Sequence, residues 1–316
     1  MVKLGIIGLG HMGGYHFSAA SSIVGAQIVA ISDPLEANWA KATSTKVIKS
    51  HSYTEWLGQV DGVIIATPTK FHYEIAKYCL SRGKHVLIEK PITKNLEQAK
   101  ELFEIAKKNK LTLHVGHVER FNGAVQELSN VVKDPYLIEC HRIGPFTARP
   151  KEDSVILDLM IHDLDIILNL VNSDVKTVNC IGSKITTDMG DIADVQIKFE
   201  NGVLANLISS RVSQIKKRTM AIHQKEAFIQ LDFTTQDIHI HKSVTDSVKV
   251  NQKEKELTYK QEGSVERLFV YKENPLKLEI ENFIKSVKTG TKRINPQQDI
   301  KALALALDLE KILINS

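Results

Sequence analysis

The chain has 316 residues, enough for one large or two ordinary domains with a sizeable core, and too many for a small scaffold held by disulfides. Hydrophobic residues make up 43% and charged residues 25%, with 17 Gly and 8 Pro, which excludes a disordered or collagen-like chain. Lys plus Arg number 41 against 37 Asp plus Glu, so the net charge is +4 and dispersed, too weak a bias for nucleic acid or an anionic membrane as the main partner; a small or anionic ligand remains open.

The runs 2–7, 26–31, 62–66, 85–88 and 111–115 are short and rich in Val and Ile, and predict fully buried strands. Helical patterns fit between them. The clearest spans 96–108, with Asn95 as N-cap, Gln98 at the third helical position, and Leu96, Ala99, Leu102, Phe103 and Ala106 on one stripe. Strand, helix and strand repeated in this way predict a parallel sheet covered on both faces. The first strand leads straight into a glycine turn with no charged region or cleavage site ahead of it, so no secretory signal is expected.

That turn, Gly8-Leu9-Gly10-His11-Met12-Gly13, fits G-x-G-x-x-G between the first strand and a helix expected to begin near Gly13. Gly8 permits the tight turn, Gly10 lets the backbone approach a pyrophosphate, and Gly13 lets helix and strand pack closely, while the helix start offers N–H groups to the anion. A glycine-rich turn between core elements would read the same way, so the residue after the second strand matters. Asp33 lies twenty residues after Gly13, where a carboxylate accepts hydrogen bonds from an adenosine ribose and repels a 2′-phosphate, favouring NAD over NADP. A turn-former before Pro34 is the plainer reading of the same residue. Glu89-Lys90-Pro91 ends a parallel strand, where ligands bind in open α/β sheets. A lysine beside a nicotinamide cation in a partly desolvated site has a lowered pKa and can exchange a proton with a substrate hydroxyl; a strand-end lysine reaching solvent is the alternative.

After His117 the rhythm changes. The runs 191–199 and 203–212 flank Asn201-Gly202, a two-residue hairpin signal, and further strands are predicted at 219–223, 227–233 and 238–241. They predict an antiparallel sheet in a second domain. Asn274-Pro275 and Asn295-Pro296 announce two late helices, the first stopped by Gly290. The segment 154–171 is apolar almost all round and predicts one buried helix whose Asp158, His162, Asp165 and Asn169, at spacings of four, three and four, share a narrow face. Two buried carboxylates and an imidazole without partners would cost several kcal/mol, so this face must meet water, a ligand or compensating groups. An acid one turn before a histidine can orient the ring for proton transfer. A metal at the same spacing would need a second ligand cluster, which the sequence does not offer, so none is expected.

Taken together, the Gly8–Gly13 turn followed by His16, Ala66-Thr67-Pro68 with His72, Glu89-Lys90-Pro91 and Asp158-x-x-x-His162-x-x-Asp165 resemble the glucose–fructose oxidoreductase and inositol dehydrogenase (Gfo/Idh/MocA) family over essentially the whole chain. The resemblance implies an α/β protein. Residues 1–118 would form an NAD-binding Rossmann domain, and 119–316 a substrate-binding and oligomerisation domain with an open, mostly antiparallel sheet, its last helix (about 296–314) returning to the Rossmann domain. It implies that Lys90 exchanges the hydroxyl proton, that His162 is its partner at the reacting carbon and that Asp158 supports it. It also implies that Gly8, Gly10, His11, Met12, Gly13, Asp33, Thr67, Pro68, His72, Glu89 and Lys90 hold NAD.

Within the family, stretches 115–122, 141–146 and 210–213 with Lys216, Lys217 and Arg218 resemble the UDP-N-acetylglucosamine 3-dehydrogenases and virulence-factor-like oxidoreductases. Oxidation of C3 of a UDP-linked N-acetylhexosamine is the expected activity. A free polyol or monosaccharide as substrate, or a non-catalytic NAD-binding sensor, are the alternatives. Arg120, Arg142, Arg211 and Lys217, with Asp165, are the expected substrate contacts, since guanidinium forks suit a diphosphate; ordinary surface charge is the other reading. Cys79, Cys140 and Cys180 have no paired spacing and read as buried thiols, which with the absence of an apolar run of ~18–20 residues predicts a cytoplasmic protein, here expected to be a homo-oligomer, dimer or tetramer.

Overall fold

A computed structural model of the chain describes residues 1–44, 46–147, 153–243, 247–252, 255–260, 263–290 and 295–315. Two compact units share it, one made of Met1–Phe121 with Glu273–Asp308, the other of Asn122–Lys272 with Leu309–Ser316.

The first unit begins β1 (Val2–Ile7), α1 (His11–Ser21), β2 (Ala26–Ser32), β3 (Ile48–Ser50), β4 (Gly62–Ile65), α2 (His72–Ser81), β5 (His85–Glu89), α3 (Leu96–Lys108) and β6 (Leu113–Gly116). The six strands are all parallel, in the order β3-β2-β1-β4-β5-β6. The five predicted strands are present, as is the helix over 96–108, where the Asn95 side chain accepts from the N–H groups of Glu97 and Gln98. Helix α1 starts at His11, two residues ahead of expectation. β3 has no counterpart in the sequence reading, because three residues carry no period. Trp56 is fully buried against Gly5, where a Cβ would sit 2.1 Å from the indole ring.

The second unit holds α4 (Gly123–Val131), β7 (Pro135–Ile143), a π-helical turn at Ile156–Met160, α5 (Ile161–Val171), β8 (Val175–Ser183), β9 (Ile192–Phe199), β10 (Leu204–Ser210), β11 (Lys217–Gln224), β12 (Ala227–Asp232), β13 (Asp237–Lys242), the hairpin β14 (Ser247–Gln252) and β15 (Lys255–Lys260), and β16 (Ser264–Leu268). Its eight-stranded sheet runs β16-β13-β12-β11-β7-β10-β9-β8, parallel between β7 and β10 and antiparallel at every other pair. Alternation puts Ile138 and Cys140 of β7, Val195 and Ile197 of β9, Leu207 of β10 and Met220 and Ile222 of β11 on the buried face, and α4 and α5 pack on the sheet.

The Asn201-Gly202 hairpin departs from the expected two-residue loop. Gly202 N–H donates to the Phe199 carbonyl and has φ +90°, while Asn201 does not share the positive φ. The connection is therefore a turn over Glu200-Asn201 followed by a left-handed glycine, the three-residue hairpin geometry. The buried helix expected over 154–171 is present and runs without a break from Val155 to Val171, with a π-helical turn at Ile156–Met160 leading directly into α5.

Helices α6 (Pro275–Thr289) and α7 (Pro296–Asn315) complete the chain, and Asn274 caps α6 through the N–H groups of Leu276 and Lys277, with Gly290 in the left-handed conformation at its end. In the first unit, α1 and α6 cover one face of the parallel sheet, with Phe17, Leu276, Ile280 and Phe283 packed on Leu4 and Ile6. α2, α3 and the start of α7 cover the other, where Leu303 joins Ile65, Leu80, Ile88 and Leu102. Among the described residues, no helix is long and apolar enough to cross a membrane, and the three cysteines are buried free thiols.

Candidate active site

In the first unit the strand order reverses between β1 and β4, and an open α/β sheet binds ligands beyond the strand ends at such a point. Gly8 follows β1 with φ +88°, and a Cβ there would lie 2.8 Å from the Ala66 carbonyl oxygen. A Cβ on Gly13 would come within 1.9 Å of the Gly8 carbonyl oxygen, so the turn and α1 close on each other only because both positions lack side chains. Gly10 is different. Nothing lies within 4 Å of its Cβ position, and it caps α1 without a side-chain hydrogen bond, so the backbone at His11, Met12 and Gly13 presents a helix start toward open space. That cradle fits a pyrophosphate. Across from it the Thr67 hydroxyl is buried with no hydrogen-bond partner, and Pro68 beside it is exposed.

Asp33 stands directly after β2 and is buried. One carboxylate oxygen accepts from Leu9 N–H at 2.7 Å, the other from Leu35 N–H at 2.9 Å and the Asn38 amide at 3.0 Å. It therefore ties the glycine turn to the end of β2, a role the sequence reading did not foresee beside the ribose contact.

Half-buried Lys90 follows β5. Its neighbour Glu89 accepts from His16 Nε2 at 2.6 Å. Burial pushes the Glu89 carboxyl upward, but the His16 hydrogen bond and the charges of His16, Lys90 and His72 outweigh it and hold the group below its ordinary range. His72, expected to touch the cofactor, instead lies buried, with Nδ1 2.9 Å from the Pro91 carbonyl oxygen and Nε2 2.8 Å from that of Thr67. It can serve a ligand only through the turns it joins.

A buried carboxyl that the sequence reading missed belongs to the same unit. Glu279 of α6 is fully buried and neither of its oxygens has a hydrogen-bond partner. Burial, then the Glu89 carboxylate, and also that of Asp299, push it well above its ordinary value, against the pull of Arg120. A group whose folded pKa is raised contributes most stability below its unfolded value and loses it as pH rises toward the folded one. Glu279→Met is accordingly expected to stabilise the chain by on the order of 1–3 kcal/mol at pH 8 and by less at pH 5. Urea unfolding at the two pH values checks this, and an equal gain at both would remove the titration from the explanation.

In the second unit the polar face falls into two parts. Asp158 lies in the π turn and is half-buried, while half-buried His162 and buried Asp165 follow in α5, with the Asn169 amide donating to the Asp165 carbonyl at 2.8 Å. π turns inserted in helices are frequent at functional sites.

The arginines expected to meet a diphosphate are committed elsewhere. Arg142 is buried, with Nε 2.9 Å and Nη2 2.7 Å from the two oxygens of buried Asp163, and its guanidinium lies over the Phe233 ring. Arg211 is buried too, with Nε on Asp191 at 2.7 Å, Nη1 on the Asp153 carbonyl and Nη2 on the Thr187 hydroxyl. A buried guanidinium fork must find a carboxylate, and each found one inside its own unit. In the first unit Arg120 pairs with buried Asp299 at 2.7 Å. Lys217, at the start of β11, is exposed.

A family model described as an oxidoreductase family with an NAD-binding Rossmann fold matches residues 2–117, and one for the GFO/IDH/MocA C-terminal domain matches 122–230. UDP-N-acetylglucosamine 3-dehydrogenase of Acidithiobacillus ferrooxidans is 34% identical over 242 residues, 76% of this chain and 77% of that protein. Its solved structure superposes with a TM-score of 0.87 at 29% identity, covering 99% of this chain and 98% of the other. Myo-inositol 2-dehydrogenase of Thermotoga maritima is 28% identical over 231 residues, 66% of this chain and 69% of that protein.

Proposed function

From the premise that this chain belongs to the GFO/IDH/MocA family and is an NAD-binding dehydrogenase acting on CH–OH groups, we propose that it oxidises C3 of UDP-N-acetylglucosamine or a closely related nucleotide sugar to the 3-keto sugar. The observation that carries this reading is the likeness to the Acidithiobacillus enzyme over 99% of the chain.

Bound NAD supplies the hydride acceptor. Lys90 takes the proton from the reacting hydroxyl as the hydride leaves its carbon, His162 is the partner at that carbon, and Asp158 orients the imidazole. Gly8, Gly10 and Gly13 let the backbone around His11 and Met12 approach the pyrophosphate, Asp33 takes the adenosine ribose, and Thr67, Pro68 and Glu89 line the nicotinamide end. Of the four expected cationic substrate contacts, Lys217 is the one with an exposed head for a diphosphate; Asp165 stays with the sugar site. In this reading the unit of Met1–Phe121 with Glu273–Asp308 takes the cofactor and the unit of Asn122–Lys272 with Leu309–Ser316 the substrate, in a cytoplasmic homo-oligomer.

The inositol dehydrogenases at 27–28% identity favour one second reading, a free polyol as substrate. A panel of UDP-N-acetylglucosamine, N-acetylglucosamine, myo-inositol and scyllo-inositol separates the two. NAD reduction is expected with the nucleotide sugar, at a kcat/KM at least about 100-fold above the free compounds, a difference of roughly 2.7 kcal/mol that charge-assisted phosphate contacts can supply. Faster reduction with an inositol overturns the assignment.

A further inference from the structure

His72 presents an arrangement that a neutral imidazole cannot satisfy. The ring is buried, and both nitrogens face backbone carbonyl oxygens, Pro91 at 2.9 Å from Nδ1 and Thr67 at 2.8 Å from Nε2. A carbonyl oxygen only accepts. A neutral ring has one N–H and would turn a lone pair on the other carbonyl, whereas the doubly protonated ring donates to both.

Burial and the positive end of α2, whose first residue is His72, both disfavour a cation there. Against them stand a buried carbonyl that a neutral ring would leave facing a lone pair and the counter-charge of the largely buried Glu89 carboxylate. The other charged groups around this point are Lys90 and His16, which also act on Glu89, and the exposed Lys70 and Glu74 of its own segment.

We infer that His72 is a permanently charged positioning residue, an imidazolium that pins the Thr67-Pro68 turn after β4 to the Lys90-Pro91 turn after β5. This deepens the proposed role of Lys90 and rests on it.

Two measurements on the full chain without substrate test this. In protein with 15N-labelled histidine, one of the twelve imidazole rings is expected to keep both nitrogens protonated at pH 8.5, where solvent-exposed histidines are neutral. A spectrum in which every ring shows an unprotonated nitrogen at pH 8.5 overturns the inference without any variant. Loss of the persistent ring signal in His72→Gln assigns it. In His72→Gln, which keeps an amide donor and loses the charge, hydrogen exchange of the backbone amides in 67–72 and 90–93 is expected to speed up, and unchanged exchange in both segments overturns the pin. Neither measurement uses a sugar, so a wrong substrate assignment and a wrong charge on His72 give different results.

Discussion

Lys90→Met is expected to lower turnover by about 10²- to 10⁴-fold while NAD still binds with nearly the affinity of the parent chain. The magnitude is that of removing a positioned proton acceptor. Methionine retains most of the lysine stem, so the packing beside half-buried Lys90 survives and the lost quantity is the titrating amine. The cradle at Gly8, Gly10 and Gly13 and the Asp33 carboxylate are untouched, which is why binding and turnover separate. NAD affinity by calorimetry and initial rates with UDP-N-acetylglucosamine are the two readouts. Near-normal turnover in the variant would falsify the role given to Lys90, whatever the substrate proves to be.

The second large effect is on stability. Arg142→Ala leaves Asp163 as an uncompensated charge in the interior and removes the stacking on Phe233, so a loss of about 3–5 kcal/mol is expected. Arg142→Met with Asp163→Leu removes both charges together and is expected to cost far less, because replacing a buried pair by apolar residues of similar volume is often close to neutral. Urea midpoints for the two variants give the comparison. Were Arg142 a diphosphate ligand instead, Arg142→Ala would raise KM for a nucleotide sugar and leave the unfolding midpoint in place. Equal destabilisation by the single and double variants would show that the packing at this position, rather than the stranded charge, is what matters.

The strands of the first unit were legible because parallel strands buried on both faces read as short unbroken Val and Ile runs, and α3 because its cap and its stripe agree. The glycine turn was legible for a related reason, since only glycine tolerates the approaches at Gly8 and Gly13. The ion pairs were not. Which carboxylate meets Arg142 or Arg211 depends on how β7 and β10 are aligned with segments twenty or so residues away, and sequence spacing carries no such information. A partial signal existed for Arg142, which continues the inward alternation of Ile138 and Cys140 along β7 and so points into the core. Glu279 carries the same kind of signal, sitting among Leu276, Ile280 and Phe283 on the apolar stripe of α6. In both cases a charged residue in phase with a hydrophobic period marks a buried charge or a buried acid, and reading the period without the exception misses it. The split of the polar face over 154–171 had no signal, because a π turn and an α turn use the same apolar residues.

The nucleotide-binding unit is assembled from both ends of the chain, and this bears on how the protein is born. When residue 121 leaves the ribosome, the parallel sheet has all its strands but one face lacks α6, and Leu4, Ile6 and Phe17 have not yet met Ile280 and Phe283. The nascent sheet must hold that oily surface in water while more than a hundred further residues are made, a period of roughly ten seconds or more at typical elongation rates. Chaperone demand during synthesis therefore concentrates on the α6-facing side of the sheet, and a fragment cut after residue 121 inherits the same exposed surface for good.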